Sequence, residues 1–183
     1  MSHTSRVQVQ IRSLDAIEAA ASTMGYRLLR GCTRFAGYYP AHEQENNSCS
    51  HVLSDGMGLG EIGLVDSGDG VYSLAYDKYR SCRFRPTEDR IGVDGSILMA
   101  RYALHAAQEA ASAQGWVSEM DETSLTIYHP DGGTFRIDGR GVVDAQGFSG
   151  AGCMAPGELL AAALGHTLET VPKPELYEEH LRA

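Results

Sequence analysis

The chain has 183 residues, with 24 acidic against 15 basic side chains and a formal charge of −9. That length allows one ordinary domain or two small ones, and it can bury a core without needing disulfides or a metal. The acidic balance speaks against a general nucleic-acid binder and against a surface drawn to anionic lipid.

Taken in chain order, Val7, Val9 and Ile11 alternate with polar residues, the period-two pattern of a half-buried strand. Ser13 is placed to cap a helix whose face is Leu14, Ile17, Ala21 and Met24, and Gly25 ends it before a second strand at Tyr26–Leu29. Residues 40–60, rich in Asn, Ser and Gly, read as a long polar loop. Glu61–Val65 and Val71–Tyr76 flank the turn Asp66–Gly70 and predict a hairpin. Asp94 or Ser96 opens the longest helix, running to about Gln114 with the stripe Ile97, Ala100, Leu104, Ala107 and Ala111. Strands are expected at Trp116–Glu119, Ser124–Tyr128 and Thr134–Ile137. A glycine-rich stretch follows from Gly139 to Gly152, then a short helix over Gly157–Leu164 and an extended tail at Pro172–Tyr177. The order predicts an α+β fold, an antiparallel sheet packed by two main helices. A small C-terminal α+β module is expected beyond it, dividing the chain at 1–121 and 122–183.

The four cysteines, Cys32, Cys49, Cys82 and Cys153, show no Cys-x-x-Cys spacing. They are too sparse for a disulfide scaffold. No signal-peptide core is visible near Met1, and no apolar run approaches the roughly 20 residues of a membrane span. A reducing cytoplasm is the expected location.

Met1-Ser2-His3, Leu14-Asp15-Ala16, Gly25-Tyr26, the hairpin Glu61–Leu64 with Gly68–Asp77, and Arg101-Tyr102-Ala103-Leu104-His105 stand in that order. Over residues 1–120 they resemble the hypothetical chloroplast reading frame 35 family, or domain of unknown function 1257. Residues 124–178 resemble domain of unknown function 2997, through Ile127–Gly132, Gly147-x-x-Gly150-x-Gly152-Cys153, Ala163–Gly165 and Lys173–Tyr177. The resemblance implies a fusion of two modules and, as partner, an AAA-type ATPase or a ferredoxin-like carrier. It carries over no activity.

Several residues offer chemistry. Arg101, Tyr102 and His105 share or border one helix face and suit either an anion or partner carboxylate, or a helix-to-sheet hydrogen bond. Cys153, before a helix start, is placed either for a lowered thiol pKa or for tight packing. His42, Glu43, Glu45, Cys49 and His51 form a polar cluster of metal-ligand types, of which His42, Cys49 and His51 are the metal candidates, with His3 as a further ligand if the first strand ends nearby. Arg80, Arg83, Arg85 and Arg90, with Tyr79 and Phe84, make a local basic patch that suits an acidic partner, single-stranded nucleic acid or pairing within the chain. The glycines at 56–60 and 139–152 match neither a dinucleotide fingerprint nor a P-loop.

No complete catalytic set emerges. The leading expectation is a non-catalytic accessory or adaptor protein that binds a protein partner. The alternatives are a small redox or metal-binding protein centred on Cys153 with nearby histidines, and a self-assembling structural protein.

Overall fold

A computed structural model describes residues 3–6, 10–37, 47–58, 60–78, 87–148, 154–164 and 169–170. Helix α1, Leu14–Ser22, starts where the sequence placed it: the Ala16 N–H donates to Ser13 Oγ at 3.1 Å. This satisfies one of the donors a helix start leaves open. Its end is closed by the Tyr26 N–H donating to the Ala21 carbonyl at 3.0 Å, with Gly25 at φ +80°. That backbone region suits glycine and ends many helices.

Strands β2 (Arg27–Arg30), β3 (His51–Ser54), β4 (Ile62–Asp66) and β5 (Tyr72–Tyr76) form a four-stranded antiparallel sheet in chain order. The hairpin β4–β5 is the one expected. Strand β3 is a correction to the polar loop read over 40–60, because Val52 and Leu53 are buried between β2 and β4. Four residues are too few for a period to stand out among the surrounding Ser, Asn and Gly.

Helix α2 (Glu88–Ile91) and a turn of 3-10 helix (Val93–Gly95) lead into α3, Ser96–Ala113. The length of α3 agrees with expectation, but its buried face does not. Ile97 is 46 % exposed, whereas Leu98, Tyr102, Ala103 and Ala106 are buried beside Leu104, Ala107 and Ala111. The reason is that α3 is packed on several sides, by α1, by α4 and by strands of the second sheet. A single stripe therefore understates it.

That second sheet is six-stranded, in the order β10-β1-β9-β8-β7-β6. Its strands are β1 (His3–Arg6), β6 (Val117–Met120), β7 (Ser124–Tyr128), β8 (Thr134–Asp138), β9 (Val142–Gln146) and β10 (Glu169–Thr170), with α4 at Met154–Ala163. Strand β9 lies inside the glycine-rich stretch Gly139–Gly152. The N-terminal strand sits at His3–Arg6; Val7 and Val9 lie outside the described residues, and Ile11 makes one isolated bridge to Tyr72.

The α+β class holds, with two antiparallel sheets instead of one. The boundary drawn at 121/122 falls in the β6–β7 hairpin turn, and β1 pairs with β9. One buried cluster contains Ile17, Leu53, Ile62, Tyr102, Leu125, Phe135 and Ile137. The segments before and after residue 121 therefore share a sheet and a core. Helix α1 touches β2 and α3, and α3 touches β6, β7 and β8, so the helix pair links the two sheets.

Candidate functional site

The first half of α3 and the turns at one end of the six-stranded sheet enclose an open groove of about 630 Å³. Ile97, Ala100, Leu104 and Val142 give it apolar walls, and Arg101, Arg136 and Arg140 bring guanidinium groups to it. Helix and sheet come close here because Gly139 has no side chain: a Cβ would sit 2.8 Å from that of Ala100.

The groove also holds Glu122, Asp138 and Asp144. Asp138 is committed to its own turn, accepting from the N–H groups of Arg140 (2.9 Å) and Val142 (3.0 Å) and from Arg140 Nε (3.2 Å). Asp144 accepts from Gln146 Nε2 at 2.8 Å. By contrast, Arg101 donates to a neutral oxygen, Thr23 Oγ1, at 2.6 Å, and Arg136 reaches Ser124 Oγ only at 3.5 Å. Both of these hydrogen bonds go to neutral oxygens. The adjoining Asp121 is held at about 2 by hydrogen bonds, first from the Thr123 N–H and then from Ser124, so it stays ionised as a turn former.

The trio expected on α3 does not converge. Arg101 points to Thr23 and lines the groove, but Tyr102 is fully buried. Its hydroxyl accepts from the N–H groups of Arg12 (2.7 Å) and Ser13 (3.2 Å), tying α3 to the entrance of α1. Of the two roles open to it from sequence, Tyr102 thus takes the hydrogen-bonded helix contact, made to the backbone before α1 and not to a sheet. His105 is half-buried, and its pKa is lowered by burial and then by the Arg101 charge.

Of the polar cluster of metal-ligand types, Cys49 and His51 lie among the described residues, and His42, Glu43 and Glu45 do not. Cys49 Sγ donates to the Cys32 carbonyl at 3.3 Å, and burial pushes its thiol up to about 11, away from the thiolate a metal requires. His51 Nδ1 accepts from the Gly31 N–H at 3.0 Å, and its ring packs against Tyr72 at 5.4 Å. Among the described residues no group of three or more His, Cys, Asp or Glu side chains could hold a metal. His42, Arg80, Arg83, Arg85 and Cys153 lie outside the described residues, as do the tail at 172–177 and the side chain of His3.

Arg90 of the basic patch pairs within the chain. It donates to Asp55 Oδ2 at 2.6 Å and to the Met24 carbonyl at 3.2 Å, and stacks on Tyr26 at 4.2 Å. Sequence reasoning missed Arg136, because an arginine inside a strand reads as ordinary outward alternation. Only the neighbouring turns and α3 make it a groove residue. No family model, curated protein or solved structure matches this chain. No helix among the described residues is long and apolar enough to cross a membrane.

Proposed function

We propose that this protein is a non-catalytic accessory protein that binds a protein partner, and that an acidic segment of the partner docks in the groove beside α3. The observation that carries the reading is the pair Arg101 and Arg136, two charged donors in one open groove whose hydrogen bonds go to the hydroxyl oxygens of Thr23 and Ser124. A guanidinium–carboxylate hydrogen bond there adds a charged acceptor, worth about 1.5–3 kcal/mol. The apolar walls at Ile97 and Leu104 would take an aliphatic side chain of the same segment. The resemblance to the two families names an AAA-type ATPase or a ferredoxin-like electron carrier as the partner class. Free thiols at Cys32 and Cys49 fit work in a reducing cytoplasm.

The test is affinity capture from native lysate with the intact chain and with the double variant Arg101→Ala/Arg136→Ala. A partner should be retained by the natural chain, weaken with rising salt, and bind the double variant at least tenfold less tightly. Repeated recovery of the protein alone, or a partner held equally by both forms, would overturn the proposal.

A further inference from the structure

Cys32 and Cys49 are free thiols, one where the chain leaves β2 and the other where it enters β3. Arg30 pairs with His51, and Arg34 makes a bridge to Ser48. Between these two pairs Gly31, Cys32 and Thr33 stand opposite Cys49 and Ser50, three residues against two. An extra residue on one side of an antiparallel pair is a bulge, which bends that strand and re-aims its side chains. Gly31, with φ +74°, takes up the bend.

The bend brings the Cys32 peptide over the Cys49 side chain. The Cys49 N–H donates to the Thr33 carbonyl at 3.0 Å, and its Sγ donates to the Cys32 carbonyl at 3.3 Å. A carbonyl oxygen lies about 2.4 Å from its own Cα, so the Cys49 sulfur is within about 6 Å of the Cys32 Cα. Facing residues of an antiparallel pair have Cα atoms about 4.5–5.5 Å apart, and one step along the strand adds about 3.3 Å at right angles. The Cα atoms of Cys32 and Cys49 are therefore about 6 Å apart, inside the range of roughly 4.4–6.8 Å that a disulfide bridges. Behind Cys49 stands β4, where a Cβ at Gly63 would lie 3.0 Å from the Cys49 Cβ.

Both residues are partly exposed, so a small oxidant can reach them. Burial raises the Cys49 pKa first, and the neighbouring Cys32 thiol raises it next. Charge interactions fall with distance, so this influence agrees with the short path between the two residues. At about 11, the Cys49 thiol is a poor first attacker, because the thiolate is the nucleophile. The first attack therefore falls to Cys32.

We propose that Cys32 and Cys49 form a modification site, a reversible dithiol–disulfide pair oxidised by a low-molecular-weight disulfide such as oxidised glutathione. The Cys32 thiolate attacks one sulfur of the oxidant, which forms a mixed disulfide and releases one glutathione thiolate to take up a proton. Cys49 then attacks the Cys32 sulfur and gives up its proton as the second glutathione leaves as a thiol. Two protein thiols become one disulfide while the oxidant's disulfide becomes two thiols, so electrons and protons balance. The new bond closes the chain from Cys32 to Cys49 into a ring and fastens the exit of β2 to the entry of β3. Such a ring restricts the unfolded chain, so the oxidised form resists unfolding more than the reduced one. The site belongs to the four-stranded sheet and stands or falls independently of the arginine groove.

The experiment equilibrates the intact, folded protein in buffers of graded reduced-to-oxidised glutathione ratio and alkylates the remaining thiols. Trypsin cuts after Arg30, Arg34 and Lys78, which places Cys32 and Cys49 on separate peptides. Mass spectrometry should find these two peptides joined as the main oxidised species, in a yield unchanged on dilution, and dithiothreitol should release them. In Cys32→Ser, Cys49 should be modified at least tenfold more slowly than in the natural chain. In Cys49→Ser, oxidation should stop at a mixed disulfide between Cys32 and glutathione. The oxidised natural chain should also unfold at a higher urea concentration than the reduced chain, a shift that neither serine variant shows. Two thiols that remain open to alkylation in the most oxidising buffer would overturn the proposal. So would mixed disulfides with glutathione alone in the natural chain, or either cysteine joined mainly to Cys82, to Cys153 or to a second copy.

Discussion

The two sheets use the same antiparallel ladder but differ in the distance along the chain that their pairings cover. In the four-stranded sheet each strand pairs with its neighbour in sequence, whereas the six-stranded sheet places β1 beside β9 and β10. Pairings across so much chain form only after a large loop-closure cost and depend on prior packing. The edges differ too. Strand β9 is covered by β1 over four residues, His3 to Arg6, while among the described residues the outer side of β5 meets a single bridge, from Ile11.

The shared core predicts that this difference in topology is not a difference in stability. Leu53→Ala in the small sheet and Ile137→Ala in the large one each remove a fully buried side chain and should cost about 2–5 kcal/mol. Trp116, the chain's single tryptophan, lies just before β6 and reports on the large sheet, and amide exchange at Val52 reports on the small one. Both variants should shift both signals to one common denaturant midpoint. Two separated midpoints would mean that the sheets unfold independently.

A smaller effect probes the close approaches in each sheet. A Cβ at Gly63 would lie 2.5 Å from Phe35 Cδ1, and one at Gly139 would lie 2.8 Å from the Ala100 Cβ. Gly63→Ala and Gly139→Ala should each destabilise by about 1–3 kcal/mol through overpacking. Of the two, only Gly139→Ala should also disturb the arginine groove, read as weaker partner binding at a temperature where the variant is folded.

The smallest effect is on α3, which joins the two sheets. His105 has a folded-state pKa below its ordinary 6.5 because burial and Arg101 disfavour its charged form. Its contribution to stability is complete above the unfolded pKa and is lost as pH falls through 6.5 toward the lowered value. Urea midpoints should therefore decline between pH 7 and 5, and His105→Gln should remove part of that slope. An unchanged slope would place the decline on other groups.

Much of the fold was legible because its signals are local. The Ser13 cap, the Gly25 stop, the Asp66–Gly70 turn and the period of α3 each act through hydrogen bonds or φ preferences within a few residues. Strands β3 and β9 were not, since they are short and set among Ser, Asn and Gly, and are strands because their partners bury them. Of the site candidates, Arg101 reached an open groove, while Tyr102 was drawn into the core and Cys49 and His51 into hydrogen bonds of their own.

The sequence by itself determined the secondary elements with strong periods and caps, the α+β class and the acidic average of −9. Long-range packing placed β1 beside β9 and brought Arg136 and Arg101 into one groove. Periodicity and capping are settled within about ten residues. Strand pairing and the neighbours of a charge depend on which distant surfaces bury one another, and no window of sequence contains that competition.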